Sequence, residues 1–149
     1  MKSRIFLYVV LTVLLIALVA IWFVFRSDTN SPARVFPAKV DRDCAPWDGS
    51  AFTVSIPLKN GQTLHISIYQ SPDIELPSHY SFPDETMSTG NAYLLTPNGS
   101  PGQLAGEVWL QRVSQEMPVE GSFRLRHESG AQFEGKFLAE WGDEIIYCG

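Results

Sequence analysis

The sequence predicts an N-terminal single transmembrane helix followed by an all-β domain, a compact antiparallel sandwich or barrel of about seven or eight short strands. Three observations predict it. One run of 21 residues near the N-terminus carries no charge. Everything after it breaks into short stretches of alternating apolar and polar residues, separated by Gly, Pro, Asn and Asp. No segment after the run keeps a helical period over three turns.

The apolar run is Ile5 to Phe25, IFLYVVLTVLLIALVAIWFVF. As a helix it would be about 31 Å long, enough to cross a bilayer core. Trp22 and Phe23 suit an interfacial aromatic belt at its far end. A cleaved signal peptide is the alternative, but its apolar stretch is usually about 7–15 residues. The nearest small-x-small site, Ser31-Pro32-Ala33, is centred on a proline. Residues 1–4 then read as a cytoplasmic tail, 5–25 as the span, 26–40 as a juxtamembrane linker and 41–149 as the β-domain. The linker reading rests on two prolines and the lack of period in Ser27–Val40.

Basic residues do not orient the span, because Lys2 and Arg4 precede it while Arg26, Arg34, Lys39 and Arg42 follow it. The two cysteines do. Cys44 and Cys148 bracket the β-domain, lack metal-site spacing, and read as a disulfide staple between its first and last segments. Such bonds persist outside the cytosol, which places the C-terminal domain extracytoplasmic and the N-terminus inside. Two unpaired buried thiols are the alternative.

The strands follow in order. Ala51–Pro57 puts Phe52, Val54 and Ile56 on one face, and Thr63–Tyr69 does the same with Leu64, Ile66 and Ile68. Asn60-Gly61 between them predicts a hairpin whose turn residues both take positive φ. Ser78–Phe82, Asn91–Thr96 and Gly106–Val113 are further strands, and Pro97–Gly102 is a turn. Val119, Gly121, Phe123 and Leu125 alternate, as do Phe133, Gly135, Phe137, Ala139 and Trp141, with a turn at Glu128-Ser129-Gly130. Gly121 and Gly135 inside strands predict bulges or close backbone approach. Glu144–Cys148 ends the chain as a short strand.

The run Val119-x-Gly-x-Phe-x-Leu followed by Gly130-x-x-Phe-x-Gly-x-Phe-x-Ala-x-Trp141 resembles the closing hairpin of small uncharacterised bacterial β-domains, secreted or membrane-anchored. The resemblance implies an envelope protein. It carries no catalytic residues.

Chemistry is sparse. His65, His79 and His127 show no metal-ligand spacing, and no cofactor loop is present. No nucleophile elbow pairs a serine with a base. The acidic pairs Asp41-x-Asp43, Asp73-x-Glu75, Asp84-Glu85 and Asp143-Glu144 match no calcium loop and read as solvated. Asn98-Gly99-Ser100 fits a glycosylation acceptor only in a eukaryotic secretory pathway. No catalytic residue, metal ligand or cofactor is therefore assigned.

Binding is the better-founded class. Tyr80 and Phe82 beside Asp84 and Glu85 could stack on a carbohydrate or anchor a protein partner; their alternative is ordinary core packing. Besides the membrane, contacted through residues 5–25, a protein or carbohydrate is the expected partner. The expectation is a membrane-anchored, non-catalytic binding or envelope-assembly module. The other readings are an accessory structural subunit of a membrane complex, or an enzyme whose site is assembled from dispersed His and acidic residues.

Charge supports part of this. The chain has 11 bases and 16 acids, with Lys2, Arg4 and Arg26 before Ser27 and all the acids after it. Ser27–Gly149 thus has 8 bases against 16 acids, which argues against nucleic acid and against attraction to anionic lipid headgroups.

Overall fold

The structure, a computed structural model, describes residues 34–148 except 73, 77, 85, 87, 100, 115, 116 and 145, and at Arg112 the backbone only. The tail at 1–4, the span at 5–25 and the linker up to residue 33 lie outside the described residues. Among the described residues no helix is long and apolar enough to cross a membrane.

Eight strands follow one another: β1 (Val35–Cys44), β2 (Ser50–Pro57), β3 (Thr63–Ile68), β4 (His79–Phe82), β5 (Gly90–Leu95), β6 (Gly102–Ser114), β7 (Met117–His127) and β8 (Gln132–Trp141). The helical content of the described residues is a single 3-10 turn at Lys59–Gly61. There Asn60 and Gly61 take φ of 65° and 72°, the left-handed pair expected of the hairpin between β2 and β3.

Seven of the strands close into a barrel in the order β6-β5-β3-β2-β1-β8-β7, with β7 returning to β6. Apart from β4, each strand pairs antiparallel with its successor in the chain. An up-and-down circuit of seven strands brings its first and last strands together pointing the same way. Closure must therefore be parallel, and β1 does pair parallel with β8, from Val35 opposite Lys136 to Val40 opposite Trp141. The predicted fold was all-antiparallel, sandwich or barrel; the structure is a barrel with one parallel seam. Nor are all the strands short, since β6 has 13 residues and β7 has 11.

The inward faces carry the predicted alternation. Phe52, Val54, Ile56, Leu64, Ile66, Ile68, Phe123 and Leu125 are fully or almost fully buried. Two glycines make room for rings. A Cβ at Gly121 would lie 2.5 Å from the Phe137 ring, and one at Gly135 would lie 2.5 Å from the Phe36 ring. Phe36 and Phe137 in turn pack against Phe123, with ring centroids 5.7 and 6.4 Å away. Backbone comes close at both, as predicted, since the same Cβ atoms would lie 2.6 Å from the Trp109 carbonyl oxygen and 3.0 Å from that of Arg34, while the room made for rings was not foreseen.

β6 begins at Gly102 and not at Gly106, and two boundaries at the ends of the domain also differ from expectation. The linker read as far as Val40 is already strand from Val35, since Phe36, Ala38 and Val40 point at the core. Pro37 disguised this strand, and it is tolerated because β2 joins β1 only from Lys39 onward. At the other end, Glu144–Cys148 is not a strand; the described residues there are coil. The tail instead carries Cys148 to Cys44, and the two form a disulfide with Cα atoms 5.6 Å apart. Because β1 and β8 are parallel, both finish at the same mouth of the barrel, and the staple fastens the seam there.

Candidate functional site

An imperfect join between strands opens a cleft in the wall of the barrel. β5 meets β6 only at Tyr93–Gln103 and Leu94–Gly102. Further along, the same edge of β6 is taken by β4, from Phe82 opposite Gly106 to His79 opposite Trp109. Between β5 and the β4 end a cleft of about 570 Å³ remains, within the range of small-molecule sites. Pro83, Asn91, Tyr93, Leu95, Pro101 and Gln103 are among the residues lining it. On this side, no strand among the described residues pairs with Gly90, Asn91 or Ala92 of β5.

One rim of the cleft is the loop that follows β4, and Asp84 organises it. Thr86, Ser88 and Thr89 each donate both a backbone N–H and a hydroxyl to its carboxylate, at 3.0–3.2 Å. The Thr86 and Thr89 amides, with their hydroxyls, hold the carboxyl well below the usual carboxylate range. A side chain so fully engaged shapes the site rather than offering itself to a partner.

The sign of its pH effect follows. A depressed folded-state pKa gives stability that is present above the unfolded value, about 3.9. That stability is lost only as pH falls through the lower folded value. Amide signals of Thr86, Ser88 and Thr89 should therefore hold their positions on titration from pH 6 to pH 3. In Asp84→Ala their hydrogen exchange should accelerate even at neutral pH. Movement of the wild-type signals near pH 4 would contradict the arrangement.

Tyr80 and Phe82, read from the sequence as either binding anchors or ordinary core, are core residues, each 3% exposed. Their rings stack 6.4 Å apart, and the Tyr80 hydroxyl donates to Gln70 Oε1 at 3.0 Å. Burial pushes the Tyr80 phenol up to about 12. The physical reason is the period of β4: His79 and Ser81 face out, which turns both aromatics inward. Of the four predicted binding residues, Asp84 lines the cleft, Tyr80 and Phe82 are in the core, and Glu85 lies outside the described residues.

The aromatic surface lies instead on the outer face of β3 and β5. Tyr93 stacks on His65 with ring centroids 5.0 Å apart and planes within 4°. His65 Nδ1 lies 3.2 Å from the Ser55 hydroxyl, and burial lowers its pKa. Next to them, Asn91 Nδ2 donates to the Tyr69 hydroxyl at 2.7 Å, and Tyr69 meets Trp47 edge-on at 5.5 Å. Among the described residues, Asn91 Oδ1 is buried with no hydrogen-bond partner. Beneath this layer Thr53 and Ser67 share a 2.8 Å hydrogen bond, and Thr53 also donates to Asp43 at 2.9 Å. Burial, with the Asp43 charge nearby, raises the Tyr93 phenol, and burial likewise raises Tyr69.

The three histidines stay apart. His65 is on β3, His79 stacks on Trp109 from β4, and His127 ends β7 with Ser129 on its Nδ1. His79 and Glu107 are 3.7 Å apart and both half exposed, a pair of little energetic weight. Among the described residues no three His, Cys, Asp or Glu side chains gather closely enough to hold a metal ion.

Sequence reasoning missed Asn91, Tyr93 and Gln103. The first two were legible only as outward positions of an alternating strand, and their grouping depends on the stagger of β5 against β6. Comparison with protein-family models, curated proteins and solved structures finds no match to this chain.

Proposed function

We propose that the protein is a non-catalytic binding module, held outside the cytosol by a membrane span at 5–25, and that it takes an extended polypeptide partner in the β4–β5 cleft. The observation that carries the binding reading is the cleft itself, which opens where β5 leaves β6: among the described residues no strand pairs with Gly90–Ala92 on that side, and Asn91, Tyr93 and Leu95 line it. Tyr93, Leu95 and Pro101 supply apolar contact beside it, and Asn91 and Gln103 supply polar contact. The disulfide supports the compartment, because such a bond persists in an oxidising environment.

The test is photo-crosslinking in intact membranes. A photoreactive residue replacing Gln103, at the cleft, should capture a discrete polypeptide. The same residue replacing Glu120, on the outward face of β7, should not. Equal capture from both positions, or a product only from Glu120, would overturn the assignment.

A further inference from the structure

We infer that the mouth of the barrel at which the chain enters is a docking surface for anionic lipid headgroups. This rests on the reading of residues 5–25 as a membrane span.

The domain is acidic on average, but its charge is not evenly spread. β1, β3, β6 and β8 begin at one mouth, and β2, β5 and β7 end there. Arg34 immediately precedes β1, and Lys59 lies in the β2–β3 turn. Lys136 stands opposite Val35, the first residue of β1. Arg126 and Arg124 lie in the last residues of β7, opposite Gln132 and Glu134 of β8. All five bases are exposed. The acids at this mouth, among the described residues, are Glu128 in the β7–β8 turn, Glu134, Glu107 opposite Arg124 on β6, and Asp84 just past β4.

Glu107 and Asp84 lie on the β4–β6 side. Along the β7–β8–β1 arc and the β2–β3 turn five bases face two acids, so this arc of the mouth is positive, although Ser27–Gly149 as a whole has twice as many acids as bases. Arg124 is the base that Glu134 engages, at 3.3 Å, and Arg34 lies over the Phe36 ring at 4.8 Å. The opposite end carries the acids Asp41, Asp43, Asp48, Glu140, Asp143 and Glu144 against the bases Lys39, which pairs with Asp41, and Arg42. The barrel is therefore an electrical dipole along its axis.

The positive end is also the tethered end. Arg34 follows Phe25 by nine residues, a reach of at most roughly 30 Å even fully extended. Within that stretch Arg26 and Asp28 cancel. A basic surface on so short a tether is held at high effective concentration against the bilayer. Each Lys or Arg near an anionic leaflet strengthens binding roughly fivefold, and the effect decays within a Debye length of about 8–10 Å. This reverses what the average charge suggested about headgroups, because a lipid surface meets one end of the barrel and not the mean of both.

The full chain should be reconstituted into vesicles and nanodiscs of phosphatidylcholine alone or with phosphatidylglycerol. Amide exchange would be followed in the turns 59–61 and 127–130. The expected result is slower exchange of both turns in the anionic bilayer, by roughly fivefold or more. The slowing should disappear at 0.5 M salt and in the double variant Lys59→Glu/Arg126→Glu. Equal exchange in the two lipids overturns the inference. Flotation separates it from the reading beneath it. A chain that resists alkaline extraction from both lipids has its span. A chain that floats only with anionic vesicles, and is released by salt, lacks the span but keeps the basic surface. A chain that floats with neither refutes both.

Discussion

Replacing Cys44 and Cys148 by serine should destabilise the barrel by about 4–5 kcal/mol, the chain-entropy cost of releasing a loop of this length. The two cysteines are 104 residues apart, so nearly the whole domain lies inside the loop. For a domain of this size that is a fall in melting temperature of roughly 15–20 °C. Urea unfolding of oxidised wild type, reduced wild type and the double serine variant checks it. The last two should coincide. The effect is expected to be large for a second, geometric reason. Parallel pairing is slightly weaker per residue than antiparallel. The seam between β1 and β8 is the barrel's parallel contact, and its strands are the most distant in the chain. A loss below about 1 kcal/mol would mean that the seam holds without its staple.

Phe123→Ala should cost about 3–5 kcal/mol, the usual loss for a large aromatic removed from a packed core. Phe123 is 1% exposed and touches both rings that occupy the space opened by the glycines, Phe36 and Phe137. Those neighbours sit on β1 and β8, so the cavity would open directly behind the seam. Collapse is limited, because a closed wall of strands cannot move inward on one side without breaking ladder bonds. Leu138→Ala is the control. Leu138 is 41% exposed on the outer face of β8 and should change stability by less than about 0.5 kcal/mol. Denaturant midpoints of the two variants should differ widely, with unchanged slopes.

How much of this was legible from the chain depends on how local each cause is. The β2–β3 hairpin was fully legible, since alternation and the Asn60-Gly61 turn are encoded within 20 residues. The staple was legible because two cysteines at the ends of a domain have few other uses. β1 was hidden by Pro37, whose missing N–H matters less where its strand is paired on one side only. The shared face of Tyr80 and Phe82 was legible from their spacing on a short strand, but which way that face points was not, because the prolines around β4 leave too short a run to show a pattern of burial. The role of Asp84 was present in the sequence as Asp-x-Thr-x-Ser-Thr, a side chain followed by three hydroxyl residues, but it reads more readily as half of an acidic pair. The cleft could not be read at all. It arises where two strands share one edge of a third, and that is set by register across the whole ring.

The parallel seam and its staple also decide where tension would travel. A pull between the segment before β1 and the end of the chain enters at Arg34, runs the length of β1 to Cys44, crosses to Cys148 and leaves at Gly149. Residues 45–147 lie off that covalent path. Such a load could peel at most β1 and the tail, while the rest of the barrel carried none of it. Reduction would remove the shortcut and put all seven strands of the closed wall in series.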